Sequence, residues 1–243
     1  MDEYLISEEF FVEIKNITHK YGHIQIFKNF TCSFKKNKIT VILGKSGSGK
    51  STLLQIINGM VEPLQGEVIL NGKLLAYKNN HLLRLNIGYV VQHVGLFPHM
   101  TIKENITLLG RIIKKPEEEI NIRMHELLDM VNLSTSYLNK FPHELSGGEQ
   151  QRAGLCRAML LNPSLLLMDE PFASLDYGTK KRIYEHILDI QKKESRTVIL
   201  VTHDWEEAIT IADYFVWIID GKIRASGDKS SLEELKENYF SEL

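Results

Sequence analysis

An α/β fold is predicted by three features of this sequence: short β-forming runs that alternate with helical patterns, a glycine-rich loop set between such a strand and such a helix, and wholly apolar strands late in the chain. Phe11-Val12-Glu13-Ile14 and Ile39-Thr40-Val41-Ile42-Leu43 read as the first two strands. The loop follows the second at once, and Leu53, Leu54, Ile57 and Val61 then recur at helical spacing. Glu67-Val68-Ile69-Leu70 runs into Asn71-Gly72, a pair that tolerates positive φ and so predicts a hairpin turn and an antiparallel edge. Ile87-Gly88-Tyr89-Val90-Val91 is a further strand. Beyond it the pattern is helical for about fifty residues, with Ile120, Met124, Leu127, Leu128 and Val131 on one apolar stripe. Leu165-Leu166-Leu167-Met168 and Thr197-Val198-Ile199-Leu200-Val201 are apolar throughout, as buried parallel strands are, with a helix from about Thr179 to Lys193 between them. Tyr214 to Ile219, an Asp220-Gly221 turn, Lys222-Ile223-Arg224-Ala225 and a helix from Ser231 onward complete the pattern.

Composition narrows the function classes. At roughly 150 residues per domain the length corresponds to about 1.6 domains, which suits one large domain or a compact domain with an inserted lobe. Hydrophobic residues make up 43% and charged residues 25%, which excludes disordered, collagenous and disulfide-rich classes. The formal net charge of -2 gives no general attraction to nucleic acid or an anionic membrane, so no nucleic-acid partner is expected and any anion must be held locally. The longest apolar runs fall far short of the roughly 20 residues needed to cross a bilayer. Met1-Asp2-Glu3-Tyr4 lacks the basic and apolar regions of a signal peptide, and Cys32 and Cys156 offer no disulfide framework. A cytosolic setting with both thiols buried is expected.

Gly44-Lys45-Ser46-Gly47-Ser48-Gly49-Lys50-Ser51 fits the phosphate-loop pattern residue for residue, between a strand and a helix as the mechanism demands. Glycines let backbone amides curl around phosphate oxygens at the positive end of the helix that continues through Thr52, while Lys50 neutralises β and γ phosphates and Ser51 offers a hydroxyl to Mg²⁺. The strand Leu165 to Met168 ends in Asp169 and Glu170. Alone, two such carboxylates read equally as solvated turn residues. With the loop upstream they read as a magnesium ligand, Asp169, and a group that aligns water with the γ-phosphate, Glu170.

Leu145-Ser146-Gly147-Gly148-Glu149-Gln150-Gln151-Arg152, followed by a helical run, resembles the signature of ATP-binding-cassette (ABC) ATPases. Ser146, Gly147, Gly148 and Gln150 then form a second anion site at a helix N-terminus. The resemblance implies that this site faces the phosphate loop of another copy, so that two ATP are sandwiched in a homodimer. It also implies that Tyr21 stacks on adenine, that Gln92 contacts Mg²⁺ and the attacking water, that His203 contacts the γ-phosphate, and that Asp176 in Ala173-Ser174-Leu175-Asp176 couples the two sites. Family members more often show Ser-Ala where Ala173-Ser174 stands here. The implied fold is a P-loop NTPase: a RecA-like core with an antiparallel β edge over 1–92 and 160–228, an inserted helical lobe over 93–159, and a short C-terminal helix over 229–243.

A single cassette with no coiled coil and no basic stripe is similar to bacterial importer subunits rather than to translation or DNA-repair cassettes. The resemblance implies ATP and Mg²⁺ as cofactors, a separate integral membrane permease, indirectly a solute-binding protein, and a peripheral position on the cytoplasmic face of the cell membrane. Ile87 through Ile102, which includes Leu96-Phe97-Pro98, looks most like osmoprotectant (quaternary-amine) uptake subunits, polar amino-acid uptake being the alternative. Leu96, Phe97 and Pro98 would line a groove for a permease helix, or else pack within the helical lobe. Many osmoprotectant ATPases carry C-terminal regulatory modules. The residues after the last strand are too few for one, which either counts against the osmoprotectant likeness or marks a simpler, unregulated member.

Overall fold

The computed structural model describes residues 9–78, 81–91, 95–172 and 175–241. In chain order its elements are β1 (Phe10–Tyr21), β2 (Ile24–Lys35), β3 (Ile39–Leu43), α1 (Lys50–Ile57), β4 (Gln65–Leu70), β5 (Lys73–Leu74), α2 (His81–Arg84), β6 (Ile87–Val90) and α3 (Ile102–Ile112). They continue with α4 (Glu117–Met130), α5 (Gly147–Met159), β7 (Leu165–Asp169), α6 (Tyr177–Glu194), β8 (Thr197–Thr202), α7 (Trp205–Ile211), β9 (Tyr214–Ile219), β10 (Lys222–Asp228) and α8 (Lys229–Ser241). Two compact units form, one from Met1–His81 with Ser195–Leu243 and the other from Leu82–Glu194. The stretch 93–159 expected as a helical lobe lies wholly in the second unit, which also holds β6, β7 and α6.

In the first unit β1 runs between β2 and β4 in an antiparallel sheet that β5 extends. Strand β3 pairs in parallel with both β8 and β9, and β9 turns back antiparallel onto β10. Every residue of β3 and β8 is buried, which is why both read as unbroken apolar runs. Both predicted hairpin turns form with positive φ at each central residue, Asn71 at 46° with Gly72 at 75° and Asp220 at 46° with Gly221 at 70°. That is the type I′ geometry whose twist matches the flanking strands.

Strand β1 runs well past Ile14, and β2 goes unpredicted, for one physical reason. Each carries a left-handed asparagine, Asn16 (φ 52°) and Asn29 (φ 51°), that breaks the two-residue alternation. Ile14 and Ile17 are therefore three apart yet both buried, as are Phe27 and Phe30. The bulges are held reciprocally: the Asn16 amide donates to Thr31 Oγ1 at 3.0 Å and the Asn29 amide to Thr18 Oγ1 at 3.2 Å. Helix α1 likewise stops at Ile57, leaving Val61 beyond it. Gly59 adopts φ 68°, donates to Ile56 O at 3.1 Å, and lets the Met60 amide reach Gln55 O at 2.9 Å, a Schellman stop.

In the second unit β6 pairs in parallel with β7. Helix α3 packs against α4 and α5. Ile120, Met124, Leu127, Leu128 and Val131 are all buried, each such side chain contributing about 1.5–3 kcal/mol. Helix α3 opens with a capping box in which the Thr101 hydroxyl accepts the Glu104 amide at 3.2 Å and Glu104 Oε2 accepts the Thr101 amide at 2.7 Å.

Candidate functional site

In the first unit the loop from Gly44 to Gly49 joins the end of β3 to the start of α1. Gly44 and Gly49 are required by space as well as conformation. A Cβ on Gly44 (φ 157°) would run into the carbonyl oxygen of Ile218, and one on Gly49 (φ 98°) would meet Phe27 Cζ at 2.8 Å and Ile26 Cγ2 at 2.9 Å. Lys50 is buried and turns back into the loop, donating to Gly44 O at 2.7 Å and Lys45 O at 2.8 Å. Ser46 and Gly47 are exposed, Ser51 and Thr52 half-buried, and the buried Ser48 Oγ has no hydrogen-bond partner among the described residues. Helix α1 has no side-chain cap and no acidic residue in its first turn. Its positive end therefore meets a curled, lysine-centred loop with no anion of its own, an arrangement suited to phosphate.

Leu43 pairs with Thr202 across β3 and β8, so the loop and His203 leave adjacent parallel strands at the same edge. His203 is exposed, in a bend before α7. Around it, Thr202 Oγ1 donates to Glu207 Oε2 at 2.7 Å and accepts the Asp204 amide at 3.0 Å. Tyr21 ends β1, is 47% exposed, and lies edge-on to the buried His19 with centroids 4.8 Å apart. It pairs with Ile24, just before the Ile26 and Phe27 that abut Gly49.

In the second unit Asp169 is buried at the end of β7, and its charge, secondary to burial, helps push the Tyr89 phenol above its ordinary range. Glu170 follows with φ 46°, a left-handed conformation that costs a non-glycine residue about 1 kcal/mol or more and concentrates at functional sites. Gln151 of α5 donates to the Glu170 carbonyl at 3.3 Å, so the helix that carries the signature is tied to the carboxylate turn.

Ser146 is the N-cap of α5, and Gly147 faces open space. The Ser146 amide and hydroxyl both donate to Glu149 Oε2 at 2.8 Å, while the Glu149 amide donates to Ser146 Oγ at 3.4 Å. The Tyr137 phenol, then the Ser146 amide and hydroxyl, hold the Glu149 carboxyl below the usual carboxylate range. Gln150, the signature glutamine singled out from sequence, instead donates to the Leu145 carbonyl at 3.1 Å. Glu149 is the residue the sequence reading missed, although Ser-x-x-Glu before a helix is a capping-box signal. Asp176 caps α6 by accepting the Thr179 amide at 3.0 Å, and the Thr179 side chain and amide lower its pKa. Gln92, Ala173 and Ser174 lie outside the described residues.

The segment Gly95 to Thr101 is not lobe core: Phe97 is 41% exposed and Pro98 is exposed. It is pinned from beneath. Fully buried Asn105 accepts the Phe97 amide at 2.7 Å and donates to the carbonyls of Phe97 and Met100 at 3.1 Å and Thr101 at 3.0 Å. Arg157 donates to Gly95 O at 2.8 Å and stands 5.9 Å from the Phe97 ring centre.

Residues 27–173 match the family model described as ABC transporter. The chain is 41% identical over 207 residues to the glycine betaine/carnitine/choline transport ATP-binding protein OpuCA of Bacillus subtilis, a match covering 85% of this chain and 54% of that protein. It is 34% identical over 229 residues to the glycine betaine uptake system ATP-binding protein YehX of Escherichia coli, covering 94% and 74% respectively. It spans about half the length of OpuCA and of the choline transport ATP-binding protein OpuBA of the same organism. Among solved structures it resembles the dimeric post-hydrolysis state of the ATP-binding cassette MJ0796 bound to ADP and Pi, with 33% identity, a TM-score of 0.83, and coverage of 90% of this chain and 98% of that one. It also resembles cbiO1 of Clostridium perfringens, with 26% identity, a TM-score of 0.84, and coverage of 96% and 94%.

Proposed function

This chain belongs to the ABC transporter family, and from that premise we propose that it is the ATP-binding and ATP-hydrolysing subunit of an osmoprotectant importer whose membrane-spanning part is carried on separate permease chains. The observation that carries the ATPase reading is the Gly44 to Ser51 loop, curled around the Lys50 ammonium at an uncapped helix end beside the strand that delivers His203.

Each residue then has a task. Backbone amides of the loop and of Thr52, with Lys50, bind the β and γ phosphates and hold them still, which lowers the barrier by stabilising charge in place. Tyr21 offers an exposed aromatic face to adenine. Ser51 and Asp169 supply hydroxyl and carboxylate oxygens, the hard donors that Mg²⁺ prefers, and Gln92 adds an amide oxygen. Mg²⁺ bound by them would draw charge from the phosphate oxygens. Glu170 orients the attacking water, His203 contacts the γ-phosphate, and Asp176 links the two sites. Ser146, Gly147, Gly148 and Gln150 present the positive end of α5 to the nucleotide of a second copy. The dimeric state of MJ0796 supports that pairing. The names of OpuCA and YehX support quaternary-amine osmoprotectants as the solute class; a solute-binding protein would deliver the solute to the permease. Among the described residues no helix is long and apolar enough to cross a membrane, which suits a peripheral subunit docked on the cytoplasmic face through Leu96, Phe97 and Pro98.

Replacing Glu170 by Gln tests the reading. ATP binding should persist while turnover falls roughly 100-fold or more, the scale of a lost catalytic base, and ATP-loaded dimer accumulates in gel filtration. Wild-type turnover in that variant would remove Glu170 from the chemistry.

A further inference from the structure

We propose that Glu207 is the positioning residue for His203, acting through Thr202; the inference rests on the reading that His203 meets the γ-phosphate. Thr202 is the last residue of β8 and is buried, a place where valine would fill the same volume. What the hydroxyl adds is one donated and one accepted hydrogen bond, to Glu207 Oε2 at 2.7 Å and from the Asp204 amide at 3.0 Å. These two bonds bracket residue 203, fixing the backbone that enters it and the backbone that leaves it.

The bracket closes on itself. Asp204 Oδ1 accepts the amides of Glu206 at 2.9 Å and Glu207 at 3.3 Å, so the helix that carries Glu207 starts from the turn that Glu207 stabilises. Glu207 is only 4% exposed. A carboxylate in such a place is tolerated where hydrogen bonds compensate its lost hydration, and the Thr202 hydroxyl is one that does so. His203 is exposed, and the backbone that carries its ring is the stretch the two Thr202 bonds hold. Because Thr202 is in register with Leu43, a bracket fixed to β8 is also fixed to the phosphate loop. The side chain best placed to hold the imbalance of one ångström that matters in catalysis is therefore one that touches no substrate.

Steady-state ATPase kinetics of the full chain test this, at a temperature where circular dichroism shows each variant folded. Thr202→Val and Glu207→Ala should lower kcat by roughly 10- to 100-fold, with KM for ATP within about twofold, the pattern of a misplaced group rather than lost binding. Thr202→Ser and Glu207→Gln keep the hydroxyl and an acceptor oxygen and should restore most of kcat. His203→Ala with Glu207→Ala should lose no more than His203→Ala alone. Wild-type kcat in Thr202→Val, or losses that multiply in the double variant, would overturn the proposal. A wild-type chain without ATPase activity would count against the parent reading instead. The positioning claim is then decided by the His203 imidazole NMR resonances, which should move in Thr202→Val and stay in place in Thr202→Ser; unchanged resonances in Thr202→Val reject it.

Discussion

At the scale of single residues, what governs is whether a side chain's partner is local. Gly44, Gly49 and Lys50 are legible because the loop's geometry is local: a strand end, a positive φ and a lysine six residues from the carbonyl it binds. Glu207 is not legible, because its meaning depends on Thr202 being buried at a strand end, which spacing alone does not disclose. Cys32 and Cys156 show the same locality from the side of burial. Desolvation pushes both thiols up to about 12. An unfolded thiol titrates near 8.5, so the folded state is the poorer acid. The associated stability is fully present below pH ~8.5 and is lost as pH rises toward 12. We expect iodoacetamide at pH 8.5 to leave both cysteines unmodified in the native chain and to label both after guanidinium unfolding, as read by mass spectrometry.

Elements were legible where periodicity was unbroken and were lost where one residue reset it. Strands β3, β7 and β8 and the stripe of α4 stand where their apolar patterns place them, because nothing interrupts the period. Strand β2 escaped because Asn29 puts Phe27 and Phe30 on the same side, and α1 ended early because Gly59 could take up a left-handed turn that a helical pattern through Val61 ignores. The segment from Gly95 to Thr101 has no period at all; Asn105 gives it shape. Asn105→Ala should cost about 1–3 kcal/mol by orphaning the Phe97 amide and neighbouring carbonyls, visible as a lowered urea midpoint. Because Asn105 is remote in function from the phosphate loop, ATPase activity of the isolated subunit should persist while co-purification with permease falls. Equal loss of both would mean that the segment supports the nucleotide site instead.

For the whole molecule, the proposed sandwich of nucleotide between two copies makes activity depend on chain concentration. Specific ATPase activity should fall on dilution toward a monomer proven by light scattering, and rates strictly proportional to chain concentration through that range would count against a shared site. The proposed solute class rests, in the sequence, only on the likeness around Phe97, a segment apart from the phosphate loop and the carboxylate strand. The reciprocal bulges of β1 and β2 constrain how copies meet. Strand β2 is twelve residues long and stands at the edge of its sheet, a length that would otherwise invite a second chain to add its own strand. Asn29 kinks the row of backbone donors and acceptors that such a strand would need, and exposed Lys28 sets a charge beside the kink. Sheet extension through that edge is thereby discouraged, so a second copy would have to meet this one through another surface.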